Sequence, residues 1–334
     1  MSIGTESPKM RRLRRFALAA IITNIGIVIT GGAVRITGSG LGCPTWPRCD
    51  EDSFIPRAGG EHTTWQTAIE FGNRLLTFVV LGAAIAVFVQ VRRTRPHTRT
   101  VEVLTWGLPI GILAQVVLGG ITVLTGLSPY TVAAHFLVSM VLISIAVALH
   151  ERVRPTDGHP PASTGIRHAT TALAVVGFIV LILGTITTGA GPHGGDLAAP
   201  RFGIDIRLIA IAHADAVWML VGLTVGLVAV TWRSGPPRLR SALRILLVVE
   251  LLQGAIGYTQ YALGVPQLLV GLHIVGAAVM WAVLSAAWIR ARPVPTAMAD
   301  ADGTGSVAGE ASVPEGPIAQ DVPPTVRPDV TTPR

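Results

Sequence analysis

Apolar residues in this chain gather into long runs broken by short polar segments. Eight runs stand out, at about 16–34, 69–91, 104–125, 131–150, 169–190, 207–231, 243–262 and 267–290. A hydrocarbon layer of ~30 Å needs roughly 20 apolar residues per helix, so the pattern predicts eight transmembrane helices and an all-α integral membrane protein in a lipid bilayer. The second run opens with "AIEFGNRLLTF", residues 68–78, in which Glu70, Asn73 and Arg74 fall on one helix face. Polar and ionisable groups inside a span are costly, and by default they mark function.

Composition agrees with the pattern. Half of the 334 residues are apolar, 13% are charged, and the mean hydropathy is +0.57. The net charge of +7 changes the picture only through its distribution. Segments 1–15, 92–103, 151–168, 232–242 and the end of the last run, with the adjoining helix ends, hold most of the 26 basic residues. The alternate loops hold Arg35, Arg48, Arg57, Arg201 and Arg207. That bias predicts a multi-pass protein of the cell membrane with both termini cytoplasmic. Nucleic acid is not an expected partner, because its basic footprint would gather on one folded face. The N-terminal "KMRRLRR" leads into a run too long for a signal h-region, and is read as the flank of a retained first helix. Residues 293–334, rich in Pro, Gly, Ala, Thr and Asp, read as a disordered cytoplasmic tail.

An internal repeat divides the rest. "QVVLGGITVLTGLSPYTVAAH" and "QGAIGYTQYALGVPQLLVGLH" align so that Gln115, Gly119, Gly126 and His135 recur as Gln253, Gly257, Gly264 and His273, each shifted by 138 residues. The expected domains are therefore a basic N-terminus (1–15), a four-helix half (16–150), a cytoplasmic linker (151–168), a second four-helix half (169–292) and the tail. Both copies enter from the same side, which makes this a parallel repeat of two pseudo-symmetric four-helix bundles. With two residues of slack in the loops, Asn73 falls opposite His213.

Three histidines lie inside spans: His135, His213 and His273. His213 and His273 begin neighbouring helices of the second half, and imidazoles facing across such a bundle suit the axial positions of haem iron. Quinone binding or a proton relay are competing uses, whereas zinc lacks the third and fourth ligands it usually takes. The first half has His135 but Asn73 where its partner would stand. Such a site would hold iron by one histidine and leave the other face open. Near it, Glu70 and Arg74 read either as a buried ion pair pinning the helix, or as a substrate-facing carboxyl with an arginine free for haem propionates. The two cysteines, Cys43 and Cys49 in "GCPTWPRCD", sit in the first outer loop and are expected to form a disulfide; a metal pair finds no well-spaced histidine. Met140 and Trp281 read as packing residues, and Gln115 and Gln253 as either ligand contacts or packing.

These stretches resemble the haem A synthase family, membrane enzymes that complete haem A for terminal oxidases. The resemblance is carried by "VRITGSGLGCPTWPRCD" (34–50), "IEFGNRLLT" (69–77), "VAAHFLVSM" (132–140), "GAGPHGGD" (189–196), "IAHADAVW" (211–218) and "GLHIVGAAVMWA" (271–282). It implies haem b as cofactor on His213 and His273, and haem O as substrate in the N-terminal half with His135 as a ligand. It implies a catalytic role for Glu70, and an oxidation of one porphyrin methyl to a formyl by successive hydroxylations. An electron donor is implied but not identified, and the haem O-making enzyme is a candidate partner. One position departs from the family: its helix-2 motif reads Glu-x-x-His-Arg, and here the histidine is Asn73. The rival readings are a membrane b-type cytochrome that only moves electrons, and a transporter without chemistry.

Overall fold

The computed structural model describes residues 7–57, 62–94, 97–155, 160–233 and 235–293. The expected tail, apart from Pro293, lies outside these residues, as does His159. Eight helices follow one another: α1 (Pro8–Ile36), α2 (Thr64–Arg93), α3 (Arg99–Leu124), α4 (Pro129–Arg152), α5 (Thr164–Ala190), α6 (Ile206–Thr231), α7 (Pro237–Ala262) and α8 (Gln267–Arg290). No strand occurs among the described residues. Seven helices are long and apolar enough to cross a membrane. The exception, α7, is of similar length but carries Arg240, Arg244, Glu250, Gln253 and Gln260 between its apolar residues.

The helices outrun several apolar runs at one end. Ser7 caps α1 by accepting from the Met10 N–H, so the helix starts well before the first apolar residue and its opening turns are basic. Ser163 caps α5 in the same way, which places the last residues of the expected 151–168 linker in helix. Apolar content marks the part of a helix that lipid or core can bury, and capping decides where the helix begins.

Each run of four helices closes on itself. In the first, α1 packs on α2, α2 on α3, α3 on α4 and α4 on α1; in the second, α5, α6, α7 and α8 repeat the cycle. The two runs meet through α1 and α4 against α8, and α4 against α5. Across that contact Trp281 Nε1 donates to the Met140 carbonyl at 2.8 Å, and Ser144 and Ser285 share a hydrogen bond of 2.9 Å. At the end where α4 and α8 finish, Arg290 grips Glu151 at 2.7 and 3.0 Å. Met140 and Trp281 are thus packing residues, as their sequence context suggests.

The 138-residue offset is visible in the backbone. The α3–α4 turn passes through Gly126 (φ 61°) and Leu127 (φ 59°), and the α7–α8 turn through Gly264 (φ 72°) and Val265 (φ 62°). In both, the second residue donates its N–H six-to-one back into the helix: Leu127 to the Thr122 carbonyl at 2.9 Å, Val265 to that of Gln260 at 2.7 Å. This is the Schellman arrangement, in which glycine takes the left-handed position at no steric cost.

Candidate functional site

A continuous cavity of about 1480 Å³ runs through the bundle. It exceeds the ~300–1,000 Å³ of ordinary single-ligand pockets. Its walls are mainly apolar, and they bring together residues from both runs of helices: Glu70, Asn73, Arg74 and His135 from the first, His213 and His273 from the second. Every candidate residue from the sequence, apart from the cysteines, borders this one space.

Glu70 lies in the first turns of α2 and is 4% exposed. One carboxylate oxygen accepts the Cys43 N–H at 2.6 Å; the other takes Arg74 Nε at 3.1 Å and Nη2 at 2.7 Å. Burial of the carboxylate is thereby offset by an ion pair and a backbone donor. The guanidinium reaches further, to the carbonyls of Cys43 (2.6 Å), Thr45 (3.0 Å) and Arg48 (3.1 Å). All five donors of Arg74 are committed, which leaves none for a ligand carboxylate. Of the two sequence readings of this pair, the geometry matches the ion pair, with an addition: it pins the loop as well as the helix. Cys43 and Cys49 form the expected disulfide in that loop, and both are buried. Trp46, between them, lies against Gly120 of α3, where an added Cβ would come within 2.5 Å of the indole. The loop thus closes one end of the cavity with an aromatic ring.

The three membrane histidines share one setting. Each ring rests on a glycine of a neighbouring helix: His135 on Gly119, His213 on Gly184 and His273 on Gly257, with a hypothetical Cβ at 3.2, 3.2 and 3.4 Å from the ring Cε1. The backbone carbonyls of His135 and His273 each accept a glutamine Nε2, from Gln115 and Gln253, both at 2.9 Å. The glutamines therefore hold the histidine turns in place. Nδ1 of His135 and of His273 is buried without a hydrogen-bond partner. His213 donates Nδ1–H to the Val180 carbonyl at 3.1 Å, which frees Nε2. An imidazole anchored to a carbonyl through one nitrogen is the usual posture of a metal-binding histidine. The His213 and His273 rings are 6.4 Å apart by centroids, at 75°. Two metal–imidazole bonds of ~2 Å plus the two ring radii span roughly that distance. The donor set and spacing thus fit an iron held between two imidazoles.

Asn73 Oδ1 accepts from Thr30 Oγ1 of α1 at 2.7 Å. His193, in the "GPHGGD" loop, is a loop clamp: Nε2 lies 2.8 Å from the Val265 carbonyl. Two cavity residues escape sequence reading. Glu250 of α7, 3% exposed, accepts from Thr224 Oγ1 of α6 at 2.9 Å and keeps Oε2 unpaired. Arg35, at the end of α1, donates to the Thr188 carbonyl at 2.9 Å. A lone glutamate in an apolar run was the available signal for the first.

Residues 14–197 match the COX15-CtaA family model, described as cytochrome oxidase assembly protein. The matched stretch contains Glu70, Asn73, Arg74, His135 and the cysteine pair, and ends before His213. A protein named heme A synthase from Lysinibacillus sphaericus is 30% identical over 182 residues, 53% of this chain and 58% of that protein. Another of the same name, from Symbiobacterium thermophilum, is 28% identical over 215 residues, 58% and 68% respectively. A third, from Methylobacterium nodulans, is 30% identical over 158 residues, 44% and 43%. The alignments thus span between about two fifths and two thirds of these relatives' lengths.

Proposed function

This chain belongs to the COX15-CtaA family of cytochrome oxidase assembly proteins, and we propose that it oxidises haem O to haem A. The reaction is the conversion of one porphyrin methyl to a formyl by successive hydroxylations, the hydrated aldehyde then losing water. In this reading the two cycles of four helices are pseudo-symmetric bundles produced by duplication, α7 crosses the membrane with the rest, both termini face the cytoplasm, and the disulfide loop lies outside. The N-terminal bundle takes haem O and the C-terminal bundle keeps haem b.

One observation carries the proposal: a single cavity joins a two-histidine site to a one-histidine site. His213 and His273 would hold haem b, and that group, when bound, supplies one-electron transfer to the neighbouring site. Their apolar surroundings keep water away, Gln253 holds the His273 turn through its backbone carbonyl, and the Val180 carbonyl fixes the His213 ring. In the first bundle His135, held through Gln115, would bind the substrate's iron from one side. Asn73, tethered to Thr30, leaves the other side without an imidazole. Glu70 supplies a carboxyl at the edge of that pocket, placed to move a proton at the reacting carbon. Arg74 does not touch substrate in this scheme; it holds the Trp46 loop shut and keeps Glu70 in position. Closing the loop excludes water from the reacting edge.

A b-type cytochrome that only moves electrons accounts for the histidine pair but leaves the one-histidine pocket without a use. Cells making haem O, with and without this protein, separate the two readings. Haem extracts resolved by chromatography and mass should contain haem A or its hydroxylated intermediate only when the protein is present. Unchanged haem O alongside protein carrying haem b would refute the oxidation and leave the cytochrome.

A further inference from the structure

The repeat allows the two halves to be compared seam by seam, and they differ where their second and third helices meet. Near the ends where α2 finishes and α3 starts, and where α6 finishes and α7 starts, both seams are clamped by arginine and aromatic rings. Arg92 lies over Phe88 and Trp106 and pairs with Glu102, and Arg244 lies over Trp232. Toward the disulfide loop the likeness ends. Across α6–α7, Trp218 Nε1 donates to Tyr258 Oη at 2.9 Å, and Thr224 Oγ1 donates to Glu250 at 2.9 Å. With the offsets of 140 residues for the second helix and 138 for the third, the corresponding positions are Phe78 and Gly120, and Ala84 and Ile112. None of these side chains can bond across α2–α3, and no hydrogen bond joins those helices at this level among the described residues.

The cavity reaches both seams. Leu75, Phe78 and Leu113 line it on the α2–α3 side and are nevertheless exposed, Phe78 by 71%; Trp218 and Tyr258 do the same on the α6–α7 side. Lipid offers no competing hydrogen bonds, so an interhelical bond there resists separation of the helices directly. Apolar side chains such as Phe78 and Leu113 exchange helix contacts for acyl-chain contacts at little cost.

On the functional reading above, we propose that the α2–α3 seam is the lateral gate through which the isoprenoid-tailed porphyrin substrate passes between bilayer and cavity, while the Trp218–Tyr258 and Thr224–Glu250 bonds latch the α6–α7 seam so that the second half retains its haem. A substrate that must leave as product needs a seam that opens. A resident cofactor needs one that does not. The duplicated scaffold supplies both, and the polar pairs make the difference.

The test uses the full-length protein, purified with its haem, in lipid nanodiscs. A large excess of haem-free globin captures haem as it leaves, and absorbance follows the transfer. Trp218→Phe and Tyr258→Phe each remove one hydrogen bond and little packing, so each should speed release of the second-half haem by about three- to tenfold. Combining either with Thr224→Ala should speed it further. For the gate, Phe78→Cys with Leu113→Cys is bridged by a short bis-maleimide; the native cysteines are occupied in their disulfide. Bridging should slow haem O uptake from liposomes at least tenfold and leave the second-half haem in place. Unchanged release in the latch variants, or undiminished uptake after bridging, overturns the proposal. Slow release from a protein whose extracts contain no haem A supports the latch and refutes only the oxidation. A protein that holds no haem refutes both.

Discussion

Replacing Arg74 by lysine separates a loop clamp from a ligand contact. The charge survives and can still face Glu70, but an ammonium has three donors from one point where the guanidinium has five in a fan. Arg74 uses all five, on Glu70 and on the carbonyls of Cys43, Thr45 and Arg48. At least two bonds must go, and the carbonyls lie too far round the loop for one nitrogen to serve them together. Hydrogen bonds to a charged donor contribute about 1.5–3 kcal/mol each, and the bond to Arg48 is exposed, so the loop should lose about 3 kcal/mol of closure. That is roughly a hundredfold rise in the open population. The disulfide reports it. Cys43 and Cys49 are 0% and 3% exposed, so a water-soluble phosphine can reduce them only when the loop lifts. Reduction of the purified Arg74→Lys variant, followed by thiol labelling, should run about a hundredfold faster than in the wild type. Equal rates would refute the clamp. If equal rates came with weakened haem O binding, the guanidinium would belong to the ligand after all.

Four further variants address the remaining roles. His213→Ala and His273→Ala should each abolish the low-spin haem spectrum of the purified protein, and an unchanged spectrum in either would refute that ligand. Glu70→Gln keeps an acceptor for the Cys43 N–H, so its disulfide should be reduced within about tenfold of the wild-type rate; haem A formation should nonetheless be lost, and full conversion in cell extracts would remove the carboxyl from the chemistry. Asn73→His, with open space beside Gly31 of α1, should turn the substrate haem six-coordinate and low-spin. A spectrum unaltered by that change would show that Asn73 does not face the iron held by His135.

The sequence made the helices and the repeat visible because both are written locally. A run of apolar residues needs no partner to be recognised, and Gln115, Gly119 and His135 recur together as Gln253, Gly257 and His273 since each trio forms one packed unit. The disulfide was readable for the same reason, its ends lying six positions apart. What stayed hidden depends on distance along the chain. Arg74 meets carbonyls 26–31 residues away, and nothing in "EFGNR" says that its donors will be spent there. Glu250 stands alone in its apolar run, and only the fold brings Thr224, 26 residues earlier, beside it. The helices start before their apolar runs because hydropathy follows burial in lipid, whereas Ser7 and Ser163 set the starts by capping.

The hydrogen bond of Thr30 to Asn73, set beside the contact of Gly184 with His213, marks where the two halves of a duplicated scaffold differ. An imidazole on α6 needs the room that glycine leaves on α5, since a Cβ there would already crowd the ring at 3.2 Å. α1 keeps a glycine of its own on the cavity wall, Gly31, with nothing within 4 Å of where its Cβ would stand, so room on that side remains. The amide oxygen of Asn73 satisfies the threonine hydroxyl at 2.7 Å. Removing the threonine hydroxyl alone would leave the amide oxygen without this donor in an apolar cavity, at a cost of about 1–3 kcal/mol. In the proposed scheme the asparagine is a working variant of the site. Together with Thr30 it forms a completed hydrogen bond that keeps one face of the pocket open, while Glu70, Arg74 and the disulfide loop still close around it.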